Sequence, residues 1–289
     1  MDALYNAAKP RVVAIGGPTA TGKTALSVAL AKRFGGEIIS ADSMQIYQGL
    51  DVGTAKVTPE EMQGVPHHLV GFLAPEQAFS VADFTTLAGK TITQLTAQGK
   101  LPLVVGGTGL YITSLLNGIG FTPEKVDPAI RQELQARLQA EGSQALYAEL
   151  AAVDPGYAAK VHPNNTPRVI RALELYRATG RKMSAEREAA RPAEKPYRSL
   201  CLCLTCRDRT LLYQRIDTRC DRMMQSGILE EAKLVYDHRD TYRTAAQAIG
   251  YKEFFPYFER TASLEACADK LKQASRNYAK RQLTWFRHM

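Results

Sequence analysis

The stretch VVAIGGPTATGKT, residues 12–24, decides the fold of this chain. Its apolar first half predicts a buried strand at 12–16, and a helix is expected to begin at about residue 23. Between them stands the pattern G-x-x-x-x-G-K-[ST], which ends in Gly22, Lys23 and Thr24. A strand that leads through such a loop into a helix predicts a phosphate site, because backbone N–H groups and the helix N-terminus attract anions.

The predicted diphosphate site consists of this loop and the first turn of the helix. Lys23 adds a positive charge, and the hydroxyl of Thr24 can bind Mg²⁺. A cradle of this kind suits two linked phosphates. The residues expected to contact them are Gly17, Pro18, Thr19, Ala20, Thr21, Gly22, Lys23 and Thr24.

The N-terminal part of the chain alternates strand and helix patterns. After the phosphate loop come a strand at 37–40, a helix near 81–98 and a strand at 101–105. This alternation predicts a parallel α/β sheet with crossover helices, in which ligands bind beyond the carboxyl ends of the strands. Asp42 and Thr108 follow two of these strand ends, so both are expected to face the phosphate loop.

The middle of the chain changes to consecutive helical patterns. Helix starts are indicated at Asp127–Pro128 and Thr166–Pro167, and no further strand pattern occurs before 199–206. The expected fold is therefore a P-loop NTPase-like α/β core that carries an all-helical insertion. The predicted boundaries are 1–122 and 200–289 for the core and 123–199 for the insertion.

The charge of the chain favours a polyanionic partner. Its 289 residues carry a formal net charge of +8, and the second half of the predicted insertion is markedly basic. No apolar run is long enough to span a membrane, and the five cysteines form no disulfide framework. The protein is therefore expected to be cytoplasmic and not to bind a membrane. The basic residues are Lys160, Arg168, Arg171, Arg177, Arg181, Lys182, Arg187, Arg191, Lys195 and Arg198.

The acidic residues near the loop limit the chemistry. A hydrolytic P-loop enzyme usually has a carboxylate after a neighbouring strand to help hold Mg²⁺. Here the strand at 101–105 runs into Gly-Gly-Thr-Gly, and Asp42 is the nearest alternative. One aspartate must then serve either the metal or the acceptor, which weakens the NTPase interpretation but leaves a kinase open.

Seven motifs together make the chain resemble a known family. The sequence closely resembles the tRNA dimethylallyltransferases of bacterial type, also called tRNA isopentenylpyrophosphate transferases, over nearly its whole length. ADSMQIY beside this phosphate loop is specific to that family and its adenylate-using relatives. The motifs are GPTATGKT (17–24), ADSMQIY (41–47), PHHL (66–69), VGGTGLY (105–111), PRVIRALE (167–174), QAIGYKE (247–253) and YAKRQLTWFR (278–287).

The resemblance implies a reaction, a metal and a partner. Members transfer a dimethylallyl group from dimethylallyl diphosphate to N6 of the adenosine just 3′ of the anticodon, position 37 of tRNA. They use Mg²⁺, and a helical insertion on the P-loop core binds the anticodon stem-loop. No protein partner is implied. A carboxylate at Asp42 is suited to accept the N6 proton, so Asp42 is the predicted general base, with Mg²⁺ orientation as the alternative.

The resemblance also implies the tRNA-binding residues. Gln45 is suited to reading a base edge. Arg219 and Arg222, one helical turn apart, are candidates for diphosphate contacts, although a charged helix surface explains them equally well. His67 and His68 are expected to be structural. The expected tRNA contacts are Asp42, Ser43, Met44, Gln45, Thr108, Pro167, Arg168, Val169, Ile170, Arg171, Gln247, Ala248, Ile249, Gly250, Tyr251 and Lys252.

Three other functions remain open from the residues. An adenylate isopentenyltransferase that acts on free AMP, ADP or ATP would share the core, but the basic insertion favours tRNA. A small-molecule P-loop kinase would consume ATP and phosphorylate its acceptor. A non-catalytic RNA-binding protein would use the loop as a nucleotide switch. One assay with dimethylallyl diphosphate and unmodified tRNA separates these functions.

Overall fold

The computed structural model describes residues 9–121, 127–190, 192 and 194–289. The chain divides into two compact units: a core unit, Met1–Leu116 with Lys195–Met289, and a helical unit, Asn117–Glu194. The predicted boundary at 122 and the basic residue Arg191 lie outside the described residues. The division at 123 and 199 stays a prediction. In the described part of the chain, no helix is both long and apolar enough to cross a membrane.

The core unit is built on a parallel five-stranded sheet. Its strand order is β3-β2-β4-β1-β5, so the strand that leads into the phosphate loop lies between two neighbours. The predicted parallel α/β sheet is confirmed. The short strand β3 was not predicted. The strands are β1 (Arg11–Gly16), β2 (Gly36–Ser40), β3 (His67–His68), β4 (Leu101–Gly106) and β5 (Arg198–Cys203).

Twelve α-helices occur among the described residues, together with two short 3₁₀ helices at Ala245–Gln247 and Lys252–Phe254. The predicted helices after the phosphate loop and near 81–98 are confirmed. The α-helices are α1 (Lys23–Phe34), α2 (Pro59–Met62), α3 (Val81–Ala97), α4 (Gly109–Leu116), α5 (Pro128–Val153), α6 (Pro155–Ala158), α7 (Thr166–Thr179), α8 (Met183–Ala189), α9 (Arg209–Gln225), α10 (Ile228–Asp237), α11 (Phe255–Phe258) and α12 (Leu264–Arg287).

Apolar side chains cover both faces of the sheet in the core unit. On one face, Ile15 and Leu103 pack with Val28 of α1. On the other, Phe84 of α3 stacks on Tyr111 of α4 with ring centroids 4.4 Å apart. A third cluster joins α9, α10 and α12 to the segment after β2, with residues such as Tyr47, Ile216, Tyr251 and Leu271. This cluster holds α9 and α12 in place beside the phosphate loop.

The helical unit has its own core and is rich in ion pairs. Helix α5 starts at Pro128, capped by Asp127, and is broken at Gly142, where φ is 81°. Leu134 and Leu150 on the two sides of the break pack with Leu173 of α7. Alternating charges on these helices pair with one another, which stabilises the solvent faces. The pairs are Arg131 and Arg171 with Glu174, Arg137 with Glu141 and Glu149, Arg177 with Glu133 and Glu149, and Arg181 with Glu186.

A candidate active site at the phosphate loop

A cavity of about 680 Å³ lies within the core unit beyond the carboxyl ends of β1, β2 and β4. Parallel strands end at the same edge of the sheet, and the loops that follow them therefore meet there. Residues of α9 and α12 complete the wall. The polar lining includes Thr19, Thr21, Lys23, Thr24, Asp42, Ser43, Gln45, Arg219, Lys252, Tyr278, Arg281 and Gln282.

The phosphate loop has the form that anion binding requires. Gly22 lies in the left-handed region, with φ 86°, directly before the first turn of α1. The ammonium group of Lys23 donates hydrogen bonds to the carbonyls of Gly17 (3.0 Å) and Pro18 (2.7 Å). The pKa of Lys23 is lowered to about 8, mainly because burial desolvates the ammonium group; the charge of Asp42 opposes this shift and that of Arg219 adds to it. An anion in this site would favour the charged form.

Two side chains from distant helices hold Thr19 of the loop. The guanidinium of Arg219 on α9 donates to the Thr19 hydroxyl at 2.8 Å. Gln282 on α12 accepts from the Thr19 N–H at 2.9 Å and donates to the carbonyl of Gly107 at 3.0 Å. A Cβ at Gly107 would lie 2.2 Å from the Gln282 amide nitrogen, so the bridge requires glycine there. Gln282 therefore joins the phosphate loop to the loop after β4.

Asp42 is oriented by its own loop. Its Oδ1 accepts from the backbone N–H groups of Met44 (2.9 Å) and Gln45 (3.3 Å). No residue in the described ranges donates to Oδ2, which leaves this oxygen available in the cavity wall. Thr108 braces the same loop, since its hydroxyl accepts from the Ser43 N–H at 3.2 Å. The structure thus brings together the residues that follow β2 and β4.

A tyrosine from α12 faces this loop. The pKa of Tyr278 is raised to about 12, first by burial and then by the nearby charge of Asp42. Contacts with Thr108 and Gln282 act in the opposite direction. The phenol is therefore protonated at neutral pH and can donate a hydrogen bond toward the cavity.

The residues predicted to bind the diphosphate divide into three groups. From Thr19 to Thr24 they line the cavity, together with Arg219. Gly17 and Pro18 lie behind the wall and present carbonyls to Lys23. Arg222 is exposed and is not among the residues that line the cavity, although it is one turn from Arg219. The structure does not bring the two arginines to one ligand.

Most of the predicted tRNA contacts in the core unit line the cavity, but two of them are buried in the protein. Residues 42–45 line the cavity, as do Gln247, Ala248, Ile249 and Lys252. Tyr251 is completely buried. Gly250 is buried as well. Their side-chain positions therefore serve packing rather than contact with a ligand.

The predicted contacts in the helical unit are similarly mixed. Val169 is 1 % exposed and Ile170 is 8 % exposed, and both belong to the core of that unit. Pro167, Arg168 and Arg171 are exposed. Three of the five positions are therefore accessible from solvent, because helical periodicity turns the other two inward.

Sequence reasoning missed the contribution of α12 to the cavity. Ser275, Tyr278 and Gln282 lie three and four positions apart, so one helix face carries all three polar groups. Phe286, near the end of the same helix, packs into the core with 8 % exposure. The missed signal was the polar residue at each helical turn before it.

Two family models match the sequence. The model described as IPP transferase matches residues 45–289, and the model described as isopentenyl transferase matches residues 10–70. Together they match residues 10–289, which include the phosphate loop, Asp42 and the whole helical unit.

The chain is similar to named proteins and to proteins of solved structure. A tRNA dimethylallyltransferase of Bacillus subtilis is 50 % identical over 283 residues, which are 98 % of this chain and 90 % of that protein. The crystal structure of a tRNA isopentenylpyrophosphate transferase from Bacillus halodurans is 47 % identical, with a TM-score of 0.69 over 97 % of this chain and 88 % of the other. A eukaryotic dimethylallyltransferase acting on tRNA is 33 % identical, with a TM-score of 0.79 over 95 % and 69 % of the two chains.

Proposed function

Since the chain belongs to the IPP transferase family, we propose that it is a tRNA dimethylallyltransferase. It transfers the dimethylallyl group of dimethylallyl diphosphate to N6 of the adenosine 3′ of the anticodon, position 37, and releases diphosphate. One observation carries the proposal: a single cavity combines an anion-binding loop with a carboxylate that has an unused oxygen. The resemblance seen in the motifs is confirmed by relatives that match nearly the full length.

The phosphate loop stabilises the leaving group. The bond between C1 of the dimethylallyl group and the diphosphate oxygen breaks, and the electron pair leaves with the diphosphate. Loop N–H groups, Lys23 and Arg219 face the growing negative charge at one end of the cavity. Donors that are already oriented usually provide the largest part of catalysis, because they need no reorganisation during the reaction.

Asp42 accepts a proton from the nucleophile, the adenine N6. The adenine N6 forms a bond to C1 as its proton moves to Oδ2 of Asp42. The amine is a weak nucleophile, since its lone pair is delocalised into the ring. The two backbone N–H groups on Oδ1 fix the carboxylate so that its other oxygen can face the incoming amine. Tyr278, Thr108 and Ser43 surround this position and are suited to orient the base.

The residues present also fit Mg²⁺. The Thr24 hydroxyl and the Asp42 carboxylate line the same cavity and are oxygen donors, which this ion prefers. When bound, the ion would neutralise charge on the diphosphate. Orientation of the ion by Asp42 remains the alternative to its role as base.

The predicted tRNA surface includes residues of both units. Lys252 and Gln247 line the cavity mouth of the core unit. Pro167, Arg168 and Arg171 are the exposed members of the helical segment. Cations of this kind bind phosphates and make affinity dependent on salt. The target base lies in a loop, where extrusion into a pocket costs less than from a duplex. The expected location is the cytoplasm, and no membrane or protein partner is required.

One assay tests the function. The protein is incubated with dimethylallyl diphosphate, Mg²⁺ and unmodified tRNA, and the digested RNA is analysed by mass spectrometry for N6-prenylated adenosine. We expect the product at position 37. Prenylation of AMP, ADP or ATP in preference to tRNA would instead identify an adenylate isopentenyltransferase. Consumption of ATP with phosphorylation of an added acceptor would identify a kinase, and RNA binding with neither reaction would identify a switch.

A further inference from the structure

A loop at residues 51–57 contributes to the wall of the cavity. Gly53, Thr54, Ala55 and Val57 of this 51–57 loop all line the cavity. The loop is a turn with its own hydrogen bonds, from the Ala55 N–H to the Val52 carbonyl (3.0 Å) and from the Lys56 N–H to the Asp51 carbonyl (2.9 Å). Side chains from elsewhere in the core unit attach this turn to the rest of the fold.

Glu231 of α10 is the main support of the 51–57 loop. Its Oε2 accepts from the backbone N–H groups of Asp51 (2.7 Å) and Val52 (2.9 Å), and its Oε1 accepts from Gly53 (2.8 Å). One carboxylate therefore binds three successive peptide groups. A negative charge suits three converging donors, whereas a neutral amide would place its own N–H groups against them.

Tyr251 connects the same carboxylate to the QAIGYK segment. Its hydroxyl donates to Glu231 Oε1 at 2.5 Å, and its side chain is completely buried. A Cβ at Gly53 would lie 2.4 Å from the Tyr251 ring, so the loop can approach this closely only with glycine there. The wall, the carboxylate and the segment that contributes Gln247 and Lys252 to the cavity are packed as one block.

The 51–57 loop in turn holds Gln45. The side-chain amide of Gln45 donates to the carbonyl of Ala55 at 2.9 Å and to that of Thr54 at 3.4 Å. Lys56 adds a second support, since its ammonium group donates to the Tyr47 carbonyl at 2.6 Å and to the Asp51 carboxylate. A change at Glu231 would therefore reach Gln45 through the loop, although Glu231 itself does not line the cavity.

We propose that Glu231 is a positioning residue for the acceptor: through the 51–57 loop it places Gln45 and the QAIGYK segment where the tRNA base enters. The proposal rests on the proposed prenyl transfer to tRNA. It concerns the acceptor side of the cavity alone, because Glu231 makes no hydrogen bond to the phosphate loop among the described residues. Replacement of Glu231 should therefore change KM for the RNA but not KM for dimethylallyl diphosphate.

The experiment compares Michaelis constants for the two substrates. Steady-state prenylation of a synthetic anticodon stem-loop is measured for the wild type, E231Q, Y251F and E230Q, with folding checked by circular dichroism. We expect E231Q to raise KM for the RNA about tenfold or more, since small misplacements of this kind are costly. KM for dimethylallyl diphosphate should change less than about twofold. Y251F removes one hydrogen bond and should raise KM for the RNA about threefold.

The control and the readout separate positioning from folding. Glu230 is exposed and adjacent on α10, so E230Q should keep both wild-type constants. A smaller folded fraction lowers the apparent kcat but leaves KM unchanged. A wild-type KM for RNA in folded E231Q, or an equal rise in both constants, would overturn the proposal. If E231Q does not fold, Y251F decides by the same criterion. Failure of the wild type and E230Q to prenylate RNA would instead refute the proposed function.

Discussion

The cations of the cavity and those of the helical unit are arranged differently. Lys23 and Arg219 hydrogen-bond to carbonyl and hydroxyl oxygens, and neither forms an ion pair with a carboxylate in the described part of the core unit. In the helical unit, Arg131 binds Glu174 through two hydrogen bonds, and Arg177 binds Glu149 and Glu133. The cavity cations have no carboxylate within ion-pair distance among the described residues, although the charge of Asp42 acts on both. These two arginines of the helical unit are already paired with glutamates.

This difference indicates which charges are available to a ligand. A desolvated cation without a closely paired carboxylate is unfavourable by itself, so its presence favours an anionic ligand in the cavity. A paired arginine on a helix surface contributes modestly to stability and must break its pair to bind phosphate. Clustering of basic residues in a sequence therefore overestimates the RNA-binding surface. The following experiments test this distinction.

Replacement of Asp42 should have the largest effect. D42N keeps the size of the side chain but removes the proposed base, so turnover should fall by about 10²–10⁴-fold. Binding of tRNA should remain near wild type. The measurements are product formation by mass spectrometry and tRNA affinity by fluorescence anisotropy. D237N, which changes a carboxylate paired with Lys233 on the surface of α10, is the control. Near-normal turnover of D42N would refute its role as base.

Removal of a cavity cation should be nearly as severe. R219Q removes one proposed donor to the leaving group, and single losses of this type cost about 10²–10³-fold in rate. Single-turnover rates at saturating substrates provide the measurement. R215Q lies on an exposed position of the same helix and should retain the wild-type rate. Equal rates for both variants would show that Arg219 only supports Thr19.

The charge of Lys23 should make anion binding depend on pH. Desolvation lowers its pKa from the usual value of 10.5 to about 8, so the ammonium form is present below pH 8 and is lost as the pH rises through that value. The affinity of the free enzyme for pyrophosphate should therefore weaken above pH 8, by up to about tenfold per pH unit. Calorimetric titrations of K23M correct for the titration of pyrophosphate itself. Identical pH profiles for both proteins would contradict the prediction.

Disruption of the bridge between Thr19 and Gly107 should have a moderate effect. In Q282E a carboxylate can still accept from the Thr19 N–H, but it cannot donate to the Gly107 carbonyl. We expect about a tenfold loss in kcat/KM for dimethylallyl diphosphate, because the loop is displaced rather than removed. Q273E makes the same change at an exposed position of α12 and serves as the control. The prediction fails if both variants retain the wild-type kcat/KM.

The smallest effects should distinguish two arginines of the helical unit. Arg168 is exposed and forms no ion pair among the described residues, so R168A should weaken tRNA binding a few-fold and lower the salt slope by about one. Arg177 is paired, so R177A should keep tRNA affinity but reduce the free energy of unfolding by about 1 kcal/mol. Salt-dependent binding and urea unfolding provide the measurements. Unchanged tRNA affinity in R168A together with weakened affinity in R177A would contradict the distinction between exposed unpaired and paired arginines.

The local parts of the site could be predicted from the sequence. The phosphate loop depends on short spacing between a strand and a helix, and Asp42 follows directly from the end of β2. The helical periodicity also places Ile170 on an apolar face, whereas the family resemblance implies contact with RNA at the same position. Its burial in the structure agrees with the periodicity. A segment that contacts a ligand can do so through only some of its residues.

The non-local parts could not be predicted. Glu231 supports Asp51 across 180 positions, and Gln282 bonds Thr19 across 263. Nothing in the local pattern of a surface-type glutamate or glutamine identifies a partner so far away. The two-residue strand β3, His67–His68, is too short to produce an alternating pattern. Such features depend on chain topology, which a single sequence does not specify.

The bond between Gln282 and Thr19 has a consequence for biosynthesis. A ribosome exposes the anion cradle early, but the glutamine that fixes its Thr19 peptide is added 263 residues later. A nascent chain therefore holds an incomplete donor site throughout most of its elongation. The donor site reaches its complete form only after helix α12 has emerged and docked.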